Sequence, residues 1–291
     1  MPPITLGRPD RTDHPAGLAP ATGTLRLQVE RAPSGRSVAA AQFHSGALRV
    51  LRAHYPDTSG GAVFTIVNPG GGFLGEDRYE IDYDGGPASS ALVTTQSATK
   101  VYRSPAGPAR QFQRFDLAPG ARLEYVPDPL IAYEGAQYRQ TTEVRMSAGA
   151  SFLTAEIVTP GWAASGEPFR YHEVRLFTRL WLESQLLLWD NLVMRPARTD
   201  PTSRGWLDNR THLLSLTAVH PGIGADTVDT VRGIISDFPT LHAGCSLLRG
   251  PGLVVRALAD SSGVLALLAE AIGTRLRRDQ TGQSPWELRK Y

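Results

Sequence analysis

The sequence is poor in cysteine and contains no long apolar run. Cys245 is the single cysteine among 291 residues, so the chain cannot form an intramolecular disulfide, as is common in a reducing compartment. No segment reaches the roughly 18 consecutive apolar residues of a membrane-spanning helix. The N-terminus also lacks the apolar core of a secretory signal. These absences predict a cytoplasmic protein without a membrane partner.

The net charge is small and lysine is rare. The formal charge is +2 at pH 7, an excess too small to indicate nucleic acid as a partner. Almost every basic residue is arginine, and lysine occurs at two positions, Lys100 and Lys290. Because an ammonium and a guanidinium are not equivalent at a tight site, Lys100 is a candidate for a place where only the ammonium fits.

What the sequence does contain is a long series of short alternating runs, separated by glycine and proline turns. They predict a mainly β protein whose strands are antiparallel over roughly 24–220, and no repeat of fixed period is visible. The predicted strands in this region are 24–30, 62–67, 78–84, 90–104, 110–117, 122–128, 138–146, 151–159, 170–184, 186–194 and 211–220.

The C-terminal part adds two predicted α-helices to this β region. Residues 224–238 and 261–278 carry apolar residues at helical spacing, with Asp226 a candidate cap for the first helix and Ser261 or Ser262 for the second. Two further strands are predicted within 245–260. Residues 1–22 are rich in proline and charge without periodicity, which predicts a disordered tail, and 23–291 are predicted to form a single β-rich domain.

The stretch NPGGGFLGED, residues 68–77, is the densest glycine cluster of the chain. A phosphate-binding loop leads directly into a helix, whose free N–H groups hold the anion. Here the alternating run of 78–84 follows, and Glu76 and Asp77 place negative charge at the loop. We therefore expect a turn between strands with glycine at positive φ, and no nucleotide site.

Catalytic and metal-binding patterns are weak. The seven histidines form no H-E-x-x-H motif, Cys245 has no catalytic neighbour pattern, and no G-x-S-x-G elbow occurs. Carboxylates within the strand-rich region could converge on a sugar substrate, or they could be solvated strand faces. A carbohydrate-active or carbohydrate-binding β protein is therefore the alternative function. These carboxylates are Glu124, Asp128, Glu134, Glu156, Glu167 and Glu173.

Four longer segments, taken in order and spacing, resemble the UreD (also called UreH) family of urease accessory proteins. They are NPGGGFLGEDRYEID, TTQSATKVYRS, LEYVPDPLIAYEGAQYRQ and EIVTPGWAASGEPF, and the closing SPWELRKY is also similar to the family. The family pattern differs at Glu76, Asp128 and Trp162, where it usually has glycine, a Pro-Gln-Glu context and arginine. The matching positions are Asn68, Pro69, Gly71, Gly75, Asp77, Thr94, Thr95, Gln96, Lys100, Tyr102 and Glu167.

The resemblance implies a scaffold rather than an enzyme. It implies an elongated β structure with a helix-like winding of strands and two helices, and it implies a chaperone-like role in nickel insertion. The implied partners are apo-urease, a helical accessory protein of the UreF type and, through the complex, a nickel GTPase of the UreG type. No tightly bound cofactor is implied, nickel being in transit along a polar passage.

Two site questions stay open at this stage. Asp77 and Glu167 are candidate transit carboxylates, because weak oxygen ligands suit a metal that must move on. Asp77 could instead cap a turn by accepting hydrogen bonds from nearby N–H groups. Residues 179–193, RLWLESQLLLWDNLV, could form an exposed docking patch or belong to the core.

Overall fold

The chain passes repeatedly between two facing sheets and winds as a β-solenoid of about four turns. This architecture comes from a computed structural model that describes residues 21–286 and residue 288. Most of the predicted N-terminal tail and the end of the closing SPWELRKY segment lie outside these residues. The mainly β fold with two late helices, predicted from sequence, is confirmed.

Alternating apolar residues account for most of these strands, as the predicted runs indicated. The strands are β1 (Gly23–Arg31), β2 (Ser37–Gly46), β3 (Arg49–Val50), β4 (Ala62–Val67), β5 (Arg78–Gly85), β6 (Ser90–Thr95), β7 (Thr99–Val101), β8 (Ala109–Leu117), β9 (Arg122–Val126), β10 (Leu130–Ala132), β11 (Gln137–Met146), β12 (Ser151–Val158), β13 (Glu173–Leu182), β14 (Gln185–Met194), β15 (His212–Val219), β16 (His242–Leu247) and β17 (Gly252–Ala259). The helices are α1 (Ala225–Ser236) and α2 (Ser262–Thr281).

The first sheet has the order β14-β13-β11-β8-β5-β1-β2, and the main path of the second is β16-β17-β15-β12-β9-β6-β4-β3. In both sheets the central strands are parallel, and antiparallel pairs occur only toward the ends of the two paths. The prediction of an antiparallel region was therefore wrong. Alternation reports which face of a strand is buried, but it does not report the direction of the neighbouring strand.

Each turn of the solenoid contains one strand of the second sheet, a connection, and one strand of the first sheet. The strands of the second sheet begin at Ala62, Ser90, Arg122 and Ser151, about 30 residues apart. Unequal connections hide this repeat from a search for a fixed period. The predicted turn signals at 118–121 and 147–150 close the turns on one side, with Gly120 and Gly149 at positive φ.

Two apolar clusters hold the layers together. One lies between the sheets and the other lies between the second sheet and the helices. Strand β8 shows the pattern, since every second side chain from Ala109 to Leu117 is buried between the sheets. Each large apolar side chain that is fully buried contributes about 1.5–3 kcal/mol relative to exposure.

Both predicted helices are present, with one difference in their caps. The Ser261 hydroxyl accepts a hydrogen bond from the Gly263 N–H and caps α2, as predicted. Gly224, rather than Asp226, precedes α1, and Asp226 lies in its first turn. An aspartate there still interacts favourably with the positive end of the helix.

The chain reverses after α2 and lies back across it. Gly282 takes the left-handed conformation at the helix C-terminus, with φ of 66°. Trp286 then packs against Gly273 and donates an indole hydrogen bond to Glu124 at 3.1 Å. Glu124 is buried and also pairs with Arg122 and Arg277. This C-terminal strap, residues 282–286 and 288, covers the outer face of the second sheet next to α2.

Strand β2 was not predicted from sequence. Its first residues include Ala39, Ala40 and Ala41, and alanine has low strand propensity. In the described part of the chain, no helix is long and apolar enough to cross a bilayer.

Candidate functional site

The four segments that carry the family resemblance come together on one side of the solenoid. Each forms the connection from the second sheet to the first in one of the four turns, and the connections stack in parallel. Phe73 bridges Val101, β7 pairs with β10, and Tyr133 bridges Trp162. We call this surface the motif side. It comprises residues 68–77, 96–104, 127–136 and 159–169.

The glycine loop forms the first layer of the motif side. It joins β4 to β5, so a strand follows it and the expected connection between strands is confirmed. Asn68 accepts a hydrogen bond from the Gly70 N–H at 3.0 Å, and Gly71 has φ of 78°. Pro69 lies between them. Position 72 requires glycine because the Tyr102 ring packs closely against it, and a β-carbon there would lie 2.6 Å from that ring.

Asp77 closes the loop through both carboxylate oxygens. One accepts a hydrogen bond from the Thr22 hydroxyl at 3.0 Å, and the other accepts one from the Leu74 N–H at 2.7 Å. The Tyr79 hydroxyl lies 3.5 Å from the second oxygen. Gly75 packs against Ser104 of the next layer. These contacts are those expected of a turn-capping carboxylate.

A second set of contacts joins motif residues of neighbouring turns. The Thr95 hydroxyl donates to the Asp128 carboxylate at 3.1 Å and accepts from the Asp128 N–H at 2.8 Å. Thr94 donates to the Val126 carbonyl, and the Gln96 N–H donates to the Ile66 carbonyl. Asp128, one of the departures from the family pattern, therefore holds two turns together.

An aromatic ladder crosses the motif side. Tyr102 lies 4.9 Å from Tyr133, and Tyr133 lies 5.1 Å from Trp162, measured between ring centroids. These spacings match the separation of neighbouring strands. Trp162 is about half exposed. Lys100 lies beside this ladder on β7, and its ammonium makes no hydrogen bond or ion pair with the described residues.

Glu167 lies at the solvent edge of the motif side. Its carboxylate is 3.5 Å from Arg170, which also lies 3.7 Å from Glu134. All three side chains are at least half exposed. The structure therefore places Asp77 and Glu167 in the first and last layers of the motif side, and no described contact joins them.

Sequence analysis missed a polar row inside the solenoid. It lies between the sheets and starts behind the glycine loop, where Phe73 stacks on Tyr79 and its ring centroid lies 5.8 Å from that of Tyr138. Gln111 and Gln140 each have Oε1 3.0 Å from the Tyr138 hydroxyl. The sequence did contain a signal for this row, because Gln111 and Gln140 occupy inward positions in the alternating patterns of β8 and β11. We call this row the polar core: Gln111, Gln113, Tyr125, Tyr138, Gln140, Thr142 and Glu156.

The polar core ends at Glu156 on β12. Gln140 donates a 2.6 Å hydrogen bond to Glu156. Burial raises the pKa of the Glu156 carboxyl and nearby Asp190 raises it further, against opposing effects of Gln140 and Arg256. Arg256 pairs with Asp190 at 2.5 Å, and both side chains reach solvent. A hydrogen-bonded polar row thus extends from Tyr138 to Glu156, whose carboxyl lies near this partly exposed ion pair.

The chemistry available here is that of oxygen and amide groups. No group of three or more His, Cys, Asp or Glu side chains is placed to hold a metal ion among residues 21–286 and 288. The Cys245 thiol is buried and burial raises its pKa, so it is a poor thiolate ligand. Carboxylates, amides and hydroxyls are hard donors that hold a divalent transition metal loosely.

Comparison with known proteins identifies the family. Residues 21–290 match the sequence profile of the UreD urease accessory protein. The chain is 42% identical over 285 residues to the urease accessory protein UreD of Paenarthrobacter aurescens, covering 94% of this chain and 98% of the relative. It is 43% identical over 278 residues to UreD of Arthrobacter sp., covering 92% and 94%, and 39% identical over 277 residues to UreD of Corynebacterium glutamicum, covering 92% and 98%. The chain therefore belongs to the UreD family of urease accessory proteins.

Proposed function

We propose that this chain is a cytoplasmic scaffold that binds apo-urease and a helical accessory protein of the UreF type and supports delivery of nickel to the urease active site. A nickel GTPase of the UreG type joins through the same complex. The observation that carries the proposal is the stacking of all four family segments on one side of the solenoid. A side built from successive turns gives a partner one continuous surface.

Family membership makes the chain an accessory protein in urease maturation rather than an enzyme. It also decides against the carbohydrate alternative, although the aromatic ladder could by itself stack sugar rings. For a scaffold, the same ladder offers a partner large apolar contacts with few rotatable bonds. Such aromatic side chains are enriched among residues that dominate protein–protein binding.

Nickel is the cargo of this proposed scaffold and not its resident cofactor. The polar core supplies amide, hydroxyl and carboxyl groups in an otherwise apolar interior, which supports its role as a route for the ion. Asp77 and Glu167 remain proposed carboxylate contacts on the motif side. Glu167 is available without any loss of folded structure, because its ion pair with Arg170 is exposed and contributes little stability.

Co-purification tests the scaffold directly. The full chain, tagged and co-expressed with the urease subunits and accessory proteins of the same organism, should recover apo-urease and the helical partner. Urease from cells lacking the chain should contain less nickel than urease from cells that express it. A chain that purifies alone, together with unchanged nickel content in the deletion strain, would contradict the proposal.

A further inference from the structure

A compact group of arginines and aromatic rings lies on the outer face of the first sheet, away from the motif side. The Arg179 guanidinium lies 5.3 Å from the ring centroids of Phe177 and Trp181 and 5.9 Å from that of Trp189. Arg145 lies over Trp181, and Arg175 lies over Phe177. We call this group the aromatic–arginine face: Arg145, Arg175, Phe177, Arg179, Trp181 and Trp189.

The aromatic–arginine face is open to solvent at its edge. Trp189 is 61% exposed and lies on β14, the edge strand of the sheet, where neighbouring Leu186 is 42% exposed. Trp189 meets Phe177 edge to face at 5.0 Å, which fixes the orientation of its ring. The side chains of residues 179–193 thus alternate between core and surface. The buried side chains pack in the core, and the others lie on the outer surface of the sheet.

Positive charge is in excess on this face. The outer positions of β11, β13 and β14, with Arg195 just beyond, carry five arginines and two glutamates. Glu143 pairs with Arg179 and Arg145, and Glu173 pairs with Arg139 and Arg195. Burial by itself raises the pKa of the Glu173 carboxyl, but the hydrogen bonds and charges of Arg139 and Arg195 together outweigh it, so the pKa is lowered. Arg175 contacts Asn191 at 3.0 Å and no carboxylate of the described residues.

We propose that the aromatic–arginine face docks an acidic surface of the urease apoprotein and buries Trp189 there. This inference rests on the proposed function. Tryptophan and arginine dominate the energetics of protein interfaces, and an excess of one charge selects a partner of the opposite charge. The face is an array of three adjacent ten-residue strands with a projecting ring, which fits a broad globular surface. A helical partner would require a groove.

Two substitutions test the proposal against a matched control. Trp189→Ala removes the exposed ring, and Arg175→Glu reverses the charge that no described carboxylate balances. Phe43→Ala is the control, because Phe43 is 52% exposed on the opposite edge strand of the same sheet and also lies under an arginine, Arg26. Each full-length variant is titrated against purified apo-urease of the same organism at two salt concentrations.

We expect Trp189→Ala and Arg175→Glu each to raise the Kd for apo-urease by about tenfold or more, while Phe43→Ala leaves it within about twofold. Binding of the unmodified chain should weaken with salt, and Arg175→Glu should flatten that dependence. Melting temperatures check that all three variants fold. Arg175→Glu keeps the test valid if Trp189→Ala proves unstable.

The remaining outcomes separate this inference from the proposed function. Unchanged affinity of both variants, with apo-urease still captured, would overturn the docking face alone. Loss of the helical partner with retained apo-urease would show that the occupant is wrong. If the unmodified chain captures no apo-urease, even with the accessory proteins present, the proposed function fails and this inference fails with it.

Discussion

At the scale of single residues, the backbone of Glu76 is strained. It has φ of 67° in the glycine loop, a left-handed conformation that costs a residue with a β-carbon about 1–2 kcal/mol. Its side chain is exposed. Glycine would adopt this backbone angle without the β-carbon penalty, which gives a physical reason for the glycine that the family resemblance implies at this position. We expect Glu76→Gly to raise the free energy of unfolding by about 1 kcal/mol, measured by urea denaturation.

Glu76→Ala separates the backbone effect from the loss of charge. It removes the carboxylate but keeps the β-carbon, so it should give little of the gain. If Glu76→Gly were less stable than the unmodified chain, the strain at this position would not limit stability.

Asp77 is the residue whose two proposed roles can be separated by substitution. Asp77→Ala removes both acceptors for Thr22 and Leu74, and should lower the free energy of unfolding by about 2 kcal/mol. Asp77→Asn keeps one acceptor oxygen and should lose less. Urease activation is then measured with Asp77→Asn. Reduced activation at near-normal stability would support a nickel contact, and unchanged activation would leave Asp77 a structural role alone.

Glu156 makes stability depend on pH. Its pKa in the folded state is raised above the ordinary value of 4.5, so its stabilising effect is complete below that value and is lost as pH rises through the folded pKa. Glu156→Gln should therefore be more stable than the unmodified chain at pH 8, by about 1 kcal/mol, and lose this advantage near pH 4. Thermal melts across this range provide the measurement. A difference that did not vary with pH would contradict the assignment.

Prediction of individual residues from sequence succeeded where neighbouring residues in the chain determine the local conformation. Gly71 at positive φ and the Ser261 cap depend on a few neighbouring residues, and sequence shows those neighbours. The polar core depends on residues from several turns. Gln113 and Tyr125 meet only because β8 and β9 lie in facing sheets, and this contact appears in no local pattern.

At the scale of elements, sequence predicted most strands but not their partners. Alternation along β8 and β11 is clear because one face of each strand is buried. Their parallel pairing follows from the passage of the chain through the other sheet between them, which depends on the length and route of two connections. Strand β2 was missed for the opposite reason, because its pairing with β1 overrides the low strand propensity of its alanines.

The C-terminal strap leads to a prediction at the scale of elements: two similar glycine-to-alanine substitutions should change the free energy of unfolding in opposite directions. Alanine in place of glycine usually stabilises a helix by up to about 1 kcal/mol. At Gly273 in α2, however, a β-carbon would lie 2.3 Å from the Trp286 ring. We expect Gly273→Ala to lower the free energy of unfolding by about 2 kcal/mol, since it displaces the strap, while Gly233→Ala in α1 should raise it.

Gly233 is a suitable comparison because a β-carbon there meets no atom within 4 Å. Chemical denaturation of both variants shows whether each substitution raises or lowers the free energy of unfolding. Trp286 fluorescence is not specific in a chain with five tryptophans, so proteolysis of the C-terminus reports strap release. A Gly273→Ala variant as stable as the unmodified chain would show that Trp286 is not seated on α2 in solution.

At the scale of the whole molecule, the proposed functions occupy separate regions. The motif side and the aromatic–arginine face lie on different surfaces, and the polar core lies between the sheets. Asp190, at the exposed end of the polar core, follows Trp189 of the aromatic–arginine face in the chain, but the two side chains point to opposite faces of β14. This arrangement lets partner binding and nickel movement be disturbed independently.

Gln140→Leu tests the polar core as a nickel route. Gln140 contacts Tyr138, Thr142 and Glu156, so an apolar side chain there interrupts the row at its centre. We expect the variant to co-purify with apo-urease as the unmodified chain does, while the nickel content of the urease made with it falls several-fold. Metal analysis of purified urease provides the measurement.

The loss of buried hydrogen bonds will also destabilise Gln140→Leu, by about 1–3 kcal/mol, so the control must match that loss. Phe152→Leu does so from the apolar part of the same interior, where Phe152 contacts Phe115 and no polar core residue is changed. If the core conducts nickel, Phe152→Leu should leave nickel content near normal. Equal losses in both variants would attribute the effect to stability, and normal nickel content with Gln140→Leu would place the route elsewhere.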